Sequence, residues 1–205
     1  RFINSTGDVV ISAETVVNLG GVQSAGDVSI VSSTDSILRS GSTDFEREII
    51  GSQLLLLSPN GSVGGSAAGE IIRADVDRIS TSTSDGFFLT NAGALRVDAV
   101  SVDYQAVEAN GELSDAASFS FEDEIRASAE DSELRLTVES GNLTLGELDA
   151  DSVYANVVSG SILDGRYSLL QVVATDAELI ASGSIAAAAD EKLDTQIGTL
   201  ALSSG

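Results

Sequence analysis

The sequence predicts an all-β chain that coils, with short strands and small-residue turns stacked into a solenoid. Three observations carry this. Gly7-Asp8-Val9-Val10-Ile11 recurs nineteen positions on as Gly26-Asp27-Val28-Ser29-Ile30. Between the two copies stands another β-branched run, Thr15-Val16-Val17-Asn18-Leu19, closed by Gly20-Gly21. Similar runs, rich in Val, Ile and Leu and alternating loosely with Ser and Thr, continue to the end of the chain, as in strands with one face buried. A unit of about twenty residues cannot bury its own apolar face, so it stacks on its neighbours.

The elements follow in order. Residues 1–38 form the repeat core. Residues 39–50 are less regular and bring Arg39, Asp44, Glu46, Arg47 and Glu48 together; a rim loop is expected, with Glu–Arg pairs that each contribute little. Leu54-Leu55-Leu56-Leu57 is the most apolar run, and Ser58-Pro59-Asn60-Gly61 ends it in a turn, where Pro fixes φ and Asn-Gly accepts positive φ. In Ile71 to Ile79, Asp75 and Asp77 are two apart and share a face opposite Val76. Ser80-Thr81-Ser82-Thr83-Ser84 reads as a hydroxyl-rich strand or turn; an ice-binding face would need threonine rows across several coils. Strand runs continue through Phe87 to Leu89, Leu95 to Val97 and Val100 to Val102.

Residues 108–133 break the rhythm with Glu112, Asp115, Glu122, Asp123, Glu124, Glu130, Asp131 and Glu133. An irregular acidic insertion is expected there, projecting from or covering one side of the coil. Phe119 and Phe121 alternate as in a strand, whereas Phe121, Ile125 and Ala129 have helical spacing. Strand runs resume at Leu134 to Val138 and recur to Ile197–Leu202, with one helical turn expected near Ala186–Asp190. A longer repeat overlies the short one. Asp27 to Leu38 resembles Ser152 to Leu163, and Gly61-Ser62-Val63 resembles Gly183-Ser184-Ile185, so that 27–63 matches 152–185 in a unit of about 120 residues. Val76 and Ile79 then match Ile197 and Leu200. The whole of 1–205 is expected to be one solenoid segment of a longer repeat protein, since it begins with Arg1, shows no signal-peptide pattern and its ends cut through a repeat.

Composition narrows the function classes. The 10 basic and 32 acidic residues give a net charge of −22, which disfavours nucleic acid and anionic membrane as partners. There is no Cys, His, Met or Trp, so no disulfide, thiolate or imidazole is available. Absence of Cys fits long bacterial secreted proteins. No apolar run reaches the length of a membrane span.

Gly-Asp-Val-x-Ile at 7–11 and 26–30, Gly-Ser-Val/Ile at 61 and 183, Phe88-Leu89-Thr90-Asn91-Ala92-Gly93-Ala94-Leu95 and Ile197-Gly198-Thr199-Leu200 together resemble the repeat regions of filamentous-haemagglutinin-like bacterial adhesins and related giant surface proteins. The resemblance covers most of the chain outside 108–133. It implies a right-handed parallel β-helix displayed extracellularly on the bacterial cell surface. At about 20 residues per coil and about 4.8 Å between strands, the chain would make roughly ten coils and a rod of roughly 50 Å.

Specific chemistry is weakly signposted. The pairs Asp75/Asp77 and Asp149/Asp151, with Glu122/Asp123/Glu124, have the residue types for acid–base glycoside hydrolysis. In a chain with 32 acidic residues such pairs arise everywhere, and a solvated acidic face accounts for them. Calcium favours carboxylate oxygens, which makes Asp75, Asp77, Asp149 and Asp151 weak candidates for non-specific binding; neither an EF-hand loop nor a Gly-Gly-x-Gly-x-Asp nonapeptide is present. No nucleophilic triad or phosphate loop is signposted, no aromatic platform for sugar is evident, and the Asn4, Asn60 and Asn142 sequons fit chance in a Ser- and Asn-rich chain. The expectation is therefore no enzyme and no required cofactor. The leading function is a rod that presents or forms an adhesive surface, contacting neighbouring repeats, copies of itself, or a host or cell-surface glycan or protein. The alternatives are a fibre subunit stacking end to end and a carbohydrate-active β-helix enzyme.

Overall fold

The computed structural model describes residues 2–41, 46–105, 112, 114–165, 169–186 and 192–205. The chain is an all-β parallel solenoid of about eight turns. The first coil holds β1 (Phe2–Ser5), β2 (Val9–Ala13) and β3 (Val17–Leu19); the second holds β4 (Gly21–Ser24), β5 (Val28–Ser32) and β6 (Ile37–Arg39). The third holds β7 (Ile49–Ile50), β8 (Gln53–Ser58) and β9 (Ser62–Val63). Then come β10 (Ile72–Asp75), β11 (Arg78–Thr83), β12 (Gly86–Asn91) and β13 (Leu95–Val97), followed by a hairpin of β14 (Val100–Tyr104) and β15 (Ala117–Phe121). The coil resumes with β16 (Glu124–Ala127), β17 (Glu133–Val138), β18 (Leu143–Leu145), β19 (Glu147–Asp149) and β20 (Ser152–Val157). It ends with β21 (Ile162–Asp164), β22 (Val172–Ala181) and β23 (Thr195–Ser204).

Outside the hairpin, each strand pairs in parallel with the equivalent strand one coil on. One ladder runs the whole length: Ile3, Val22, Ile49, Ala74, Asn91, Val138, Val157, Ala181 and Ser204 are successive partners. A second joins Ile11, Ile30, Leu56, Thr81, Ile125, Leu148, Val172 and Thr195. From Val22 to Ala181, and from Ile30 to Val172, these residues are buried. Most are aliphatic, and each fully buried Leu, Ile or Val stabilises the fold by about 1.5–3 kcal/mol. Thr81 is an exception that stays satisfied, because its hydroxyl donates to the Leu56 carbonyl at 2.6 Å. Thr83 likewise donates to the Gly61 carbonyl. The hydroxyl-rich run is thus a strand whose threonines face inward.

The coil count is about eight, not roughly ten. Two causes are visible in the register. Coil length varies: the step that places Asn91 on Ala74 is short, whereas the step that places Ile49 on Val22 is much longer. In addition, Val97 sits on Ile79 and Ile125 on Thr81, near neighbours on one strand, although Val97 and Ile125 are far apart in sequence. The chain between them leaves the coil between β13 and β16. That excursion is the hairpin. It overlaps the acidic stretch expected at 108–133 but starts earlier, and β16 and β17 lie back in the coil. Acidity marks the solvent side of the excursion, whereas its strands carry the apolar residues that cover the coil. Residues 106–111 and 113 lie outside the described residues. Phe121 and Ile125 lie in β15 and β16, so their helical spacing does not produce a helix; the helical turn expected at 186–190 lies beyond the described residues except for Ala186.

The hairpin explains the four leucines. Leu54 and Leu56 point into the main core, while Leu55 and Leu57 point outward. Leu55 is fully buried beneath Val100 and Val102, with Val10, Leu57, Phe119 and Phe121 packed around it. A strand apolar on both faces needs cover on both, and the excursion supplies the second.

The similar segments 27–63 and 152–185 stand on different faces. Val28 belongs to the row of Leu54, Ile79 and Val97, whereas Val153 belongs to the row of Leu134 and Ala177. Both begin long strands followed by a small-residue corner and a short strand. Their similarity follows strand length rather than position around the coil, because coil lengths vary.

Two glycines matter for close approach. Gly61 does not need positive φ; a Cβ there would meet the backbone of Asp35 and Ser36 in the coil below. At Gly146, between β18 and β19, a Cβ would run into the carbonyl oxygens of Asp123 and Val97, where the hairpin leaves and re-enters the coil. Gly146→Ala is expected to cost about 1–3 kcal/mol, read as a lower urea midpoint; an unchanged midpoint would mean that the hairpin root yields freely.

Candidate functional site

Three places concentrate polar chemistry. The first lies at the rim where low-value ion pairs were expected, and it is buried. Glu48 is 1% exposed. Arg39 Nε donates to its Oε1 at 2.8 Å and Arg73 Nη2 at 2.9 Å, while the Arg73 backbone N–H donates to Oε2 at 2.8 Å. The Glu48 N–H donates back to the Arg73 carbonyl at 2.8 Å, and the Glu48 carbonyl accepts from Val22 at 2.7 Å. Three successive coils are thereby clipped at one residue. Burial pushes the Glu48 carboxyl up, but the side chain and backbone of Arg73, with the charge of Arg39, outweigh it and hold the pKa below the usual carboxylate value. Nearby, Arg47 pairs with Glu139 at 2.8 Å on the surface. Ser42 to Phe45, including Asp44, lie outside the described residues.

The second place is an outward row on the long strands. Phe88, Arg135, Tyr154 and Glu178 are consecutive ladder partners. The Arg135 guanidinium lies 5.6 Å from the centre of the Tyr154 ring, a cation–π arrangement, and donates to Glu133 at 2.6 Å. Beside it run Thr90, Thr137, Asn156 and Ile180. Phe88 and Tyr154 are far apart in the chain, and only the register assembles them.

The third is an open cleft of about 670 Å³ where the β16–β19 wall meets the long strands. Arg126, Glu130, Asp149, Asp151, Thr175 and Gln196 are among its lining. Arg126 Nε lies 3.4 Å from Asp149, so one of the acids already has a cation. Asp75 and Asp77 stand elsewhere, Asp75 at the end of β10 and Asp77 on the corner before β11. They are exposed on either side of the buried Val76, as their alternation required. The two pairs singled out for calcium therefore occupy different corners of the coil and do not meet. Among the described residues no group of three or more acids is arranged to hold a metal ion. Glu122 instead lends its backbone carbonyl to the buried Ser80 hydroxyl.

Asn91 is the polar residue that sequence pattern missed. It sits fully buried in the inward ladder between Ala74 and Val138. Its Nδ2 donates to the carbonyls of Val76 and Gly93 at 3.0 Å each, and its Oδ1 accepts from the Val76 N–H at 3.1 Å. It acts as a side-chain bracket for the corner that carries Asp75 and Asp77. Among the described residues no helix is long and apolar enough to cross a membrane. No family model, curated protein or solved structure matches the chain.

Proposed function

We propose that the chain is a structural segment of an extracellular, bacterial surface protein, a solenoid that presents an adhesive face. One observation supports this above the others: an inward ladder continuous from Val22 to Ala181, so that the polypeptide is spent on stacking rather than on enclosing a site. The resemblance to filamentous-haemagglutinin-like repeats supplies the adhesive and surface parts of the reading. The Arg135–Tyr154 pair, backed by the buried Phe88 and bordered by Thr137 and Asn156, is the face best furnished for a glycan or protein, since aromatic and Arg side chains dominate contact energies.

Eight turns at about 4.8 Å give an axial length of about 40 Å, which small-angle scattering should return for the isolated chain. Beads coated with the chain are expected to bind cell surfaces or arrayed glycans, and soluble chain should compete. Tyr154→Ala with Arg135→Ala should remove that binding without moving the unfolding midpoint by more than about 1 kcal/mol. Absence of binding to every surface tested would sink the adhesive part and leave a spacer.

A fibre subunit is the second reading. It extends the same parallel stacking from one coil to the next into stacking between copies, since a free strand edge accepts a further strand. Sedimentation velocity over a concentration series separates the two: growth into long species favours the fibre, and a constant monomer the presenting segment.

A further inference from the structure

We propose that the β14–β15 hairpin is a strap that opens as a unit from the outer wall of the solenoid, uncovering an apolar strip of Val10, Leu55 and Leu57 while the coils stay folded. Four observations lead there. First, β14 and β15 pair only with each other and belong to no ladder of the main sheet. Opening therefore breaks side-chain packing but no run of coil hydrogen bonds. Second, the excursion leaves and re-enters the coil at neighbouring points. Val97 is seated on Ile79 and Ile125 on Thr81, near neighbours on the same strand. The coil beneath is complete without the hairpin, and both roots stay anchored when it lifts.

Third, the cover is imperfect at one atom. Ser29, the ladder partner of both Val10 and Leu55 in the covered row, is fully buried, and its hydroxyl has no hydrogen-bond partner. An unpaired buried hydroxyl disfavours the closed state, whereas opening returns it to water. Fourth, the packed interface is a small core of its own, with Leu55, Val100 and Val102 at its centre, separate from the coil interior. At its base the strap is pinned by few groups. Asp98 accepts from Arg96 at 2.9 Å and faces Arg78 at 3.7 Å, its N–H reaches the Ile79 carbonyl at 3.1 Å, and Ser80 donates to Glu122. Units with a small separate core and no shared ladder open below the global free energy.

Opening puts that apolar strip on the outer wall, in register with Val31 and bordered by Ser12 and Ser82, and lifts off a two-stranded ribbon that is marginal alone. The strap is thus a built-in cover over a surface that the closed molecule does not display.

Native-state hydrogen exchange on the full chain tests this. The amides of Val100–Tyr104 and Ala117–Phe121 that bond across the hairpin should exchange at least about 100-fold faster than those of β8 and β11 beneath them. Ser29→Ala should slow hairpin exchange by about fivefold or more, because it removes the unpaired hydroxyl from the closed state. Leu55→Ser should speed it by a larger factor, and both variants should leave the exchange of β17, β20 and β22 unchanged. Exchange of hairpin and coil amides in one common step, or equal shifts in both sets for either variant, would overturn the proposal. Should Leu55→Ser fold poorly, Ser29→Ala carries the test alone, since a passive cover predicts no selective slowing.

Discussion

Glu48→Ala is expected to lower stability by about 3–5 kcal/mol, the cost of stranding charge when one partner of a buried ion pair is removed. In a chain of this size that corresponds to a fall in melting temperature of about 10 °C. The cause is specific. Arg39 and Arg73 converge on one carboxylate that is 2% exposed, and the Arg39 side chain is itself only 10% exposed. Without Glu48, Arg39 and Arg73 lose the carboxylate they share, and the Arg73 N–H loses its acceptor. Glu48→Gln should cost less, because one amide oxygen can still accept.

The same residue predicts a pH dependence. Its folded pKa lies below the ordinary value of 4.5, so the unfolded chain takes up the proton first as pH falls. The stabilisation is fully present above about pH 4.5 and is lost as pH drops through the lowered folded value. Urea midpoints of the native protein and of Glu48→Gln should therefore differ most near neutral pH and converge as pH falls through that lowered folded value. A constant difference over that range would mean that the charge of Glu48 contributes nothing and that only its shape matters.

Asn91→Leu is expected to destabilise by about 3 kcal/mol, although the substitution looks conservative in volume and improves the apolar pattern. The partners of Asn91 on either side are Ala74 and Val138, and the ladder is otherwise aliphatic through most of the interior. By hydrophobic bookkeeping alone a leucine would add stability. Against this, the substitution strips the Val76 N–H and carbonyl and the Gly93 carbonyl of their partner, and each buried group left unpaired costs about 1–3 kcal/mol. The coil from Ala74 to Asn91 is the shortest step in that ladder. The side chain supplies there the hydrogen bonds that a longer coil could make through its backbone. A denaturant midpoint equal to or above that of the native chain would show the bracket to be dispensable.

Much of the architecture was legible. The recurrence of Gly-Asp-Val at 7 and 26 places Val9 directly on Val28 and Ile11 on Ile30, as the spacing demanded. The alternation Asp75-Val76-Asp77 survives as out, in, out even though β10 ends at Asp75 and the other two residues lie on the corner beyond it. Less legible were the elements that depend on what lies above and below. Four consecutive leucines look alike in sequence, yet two fill the solenoid and two support the hairpin. The charged residues near position 48 resemble any solvated loop, and only the neighbouring coil brings Arg73 to Glu48 from 25 residues away.

The sequence by itself determined that this chain coils. Short β-branched runs broken by small residues cannot bury their faces singly, and their spacing sets how they stack. The tertiary structure decided the phase. Coil length changes from one step to the next and a whole hairpin is looped out, so no fixed offset predicts which residue lies above which. The Glu48 clip, the Asn91 bracket, the Phe88–Arg135–Tyr154 row and the two separate corners for the aspartate pairs all follow from that phase. Hydrophobic periodicity is a property of one strand, whereas polar geometry is a property of several strands in register.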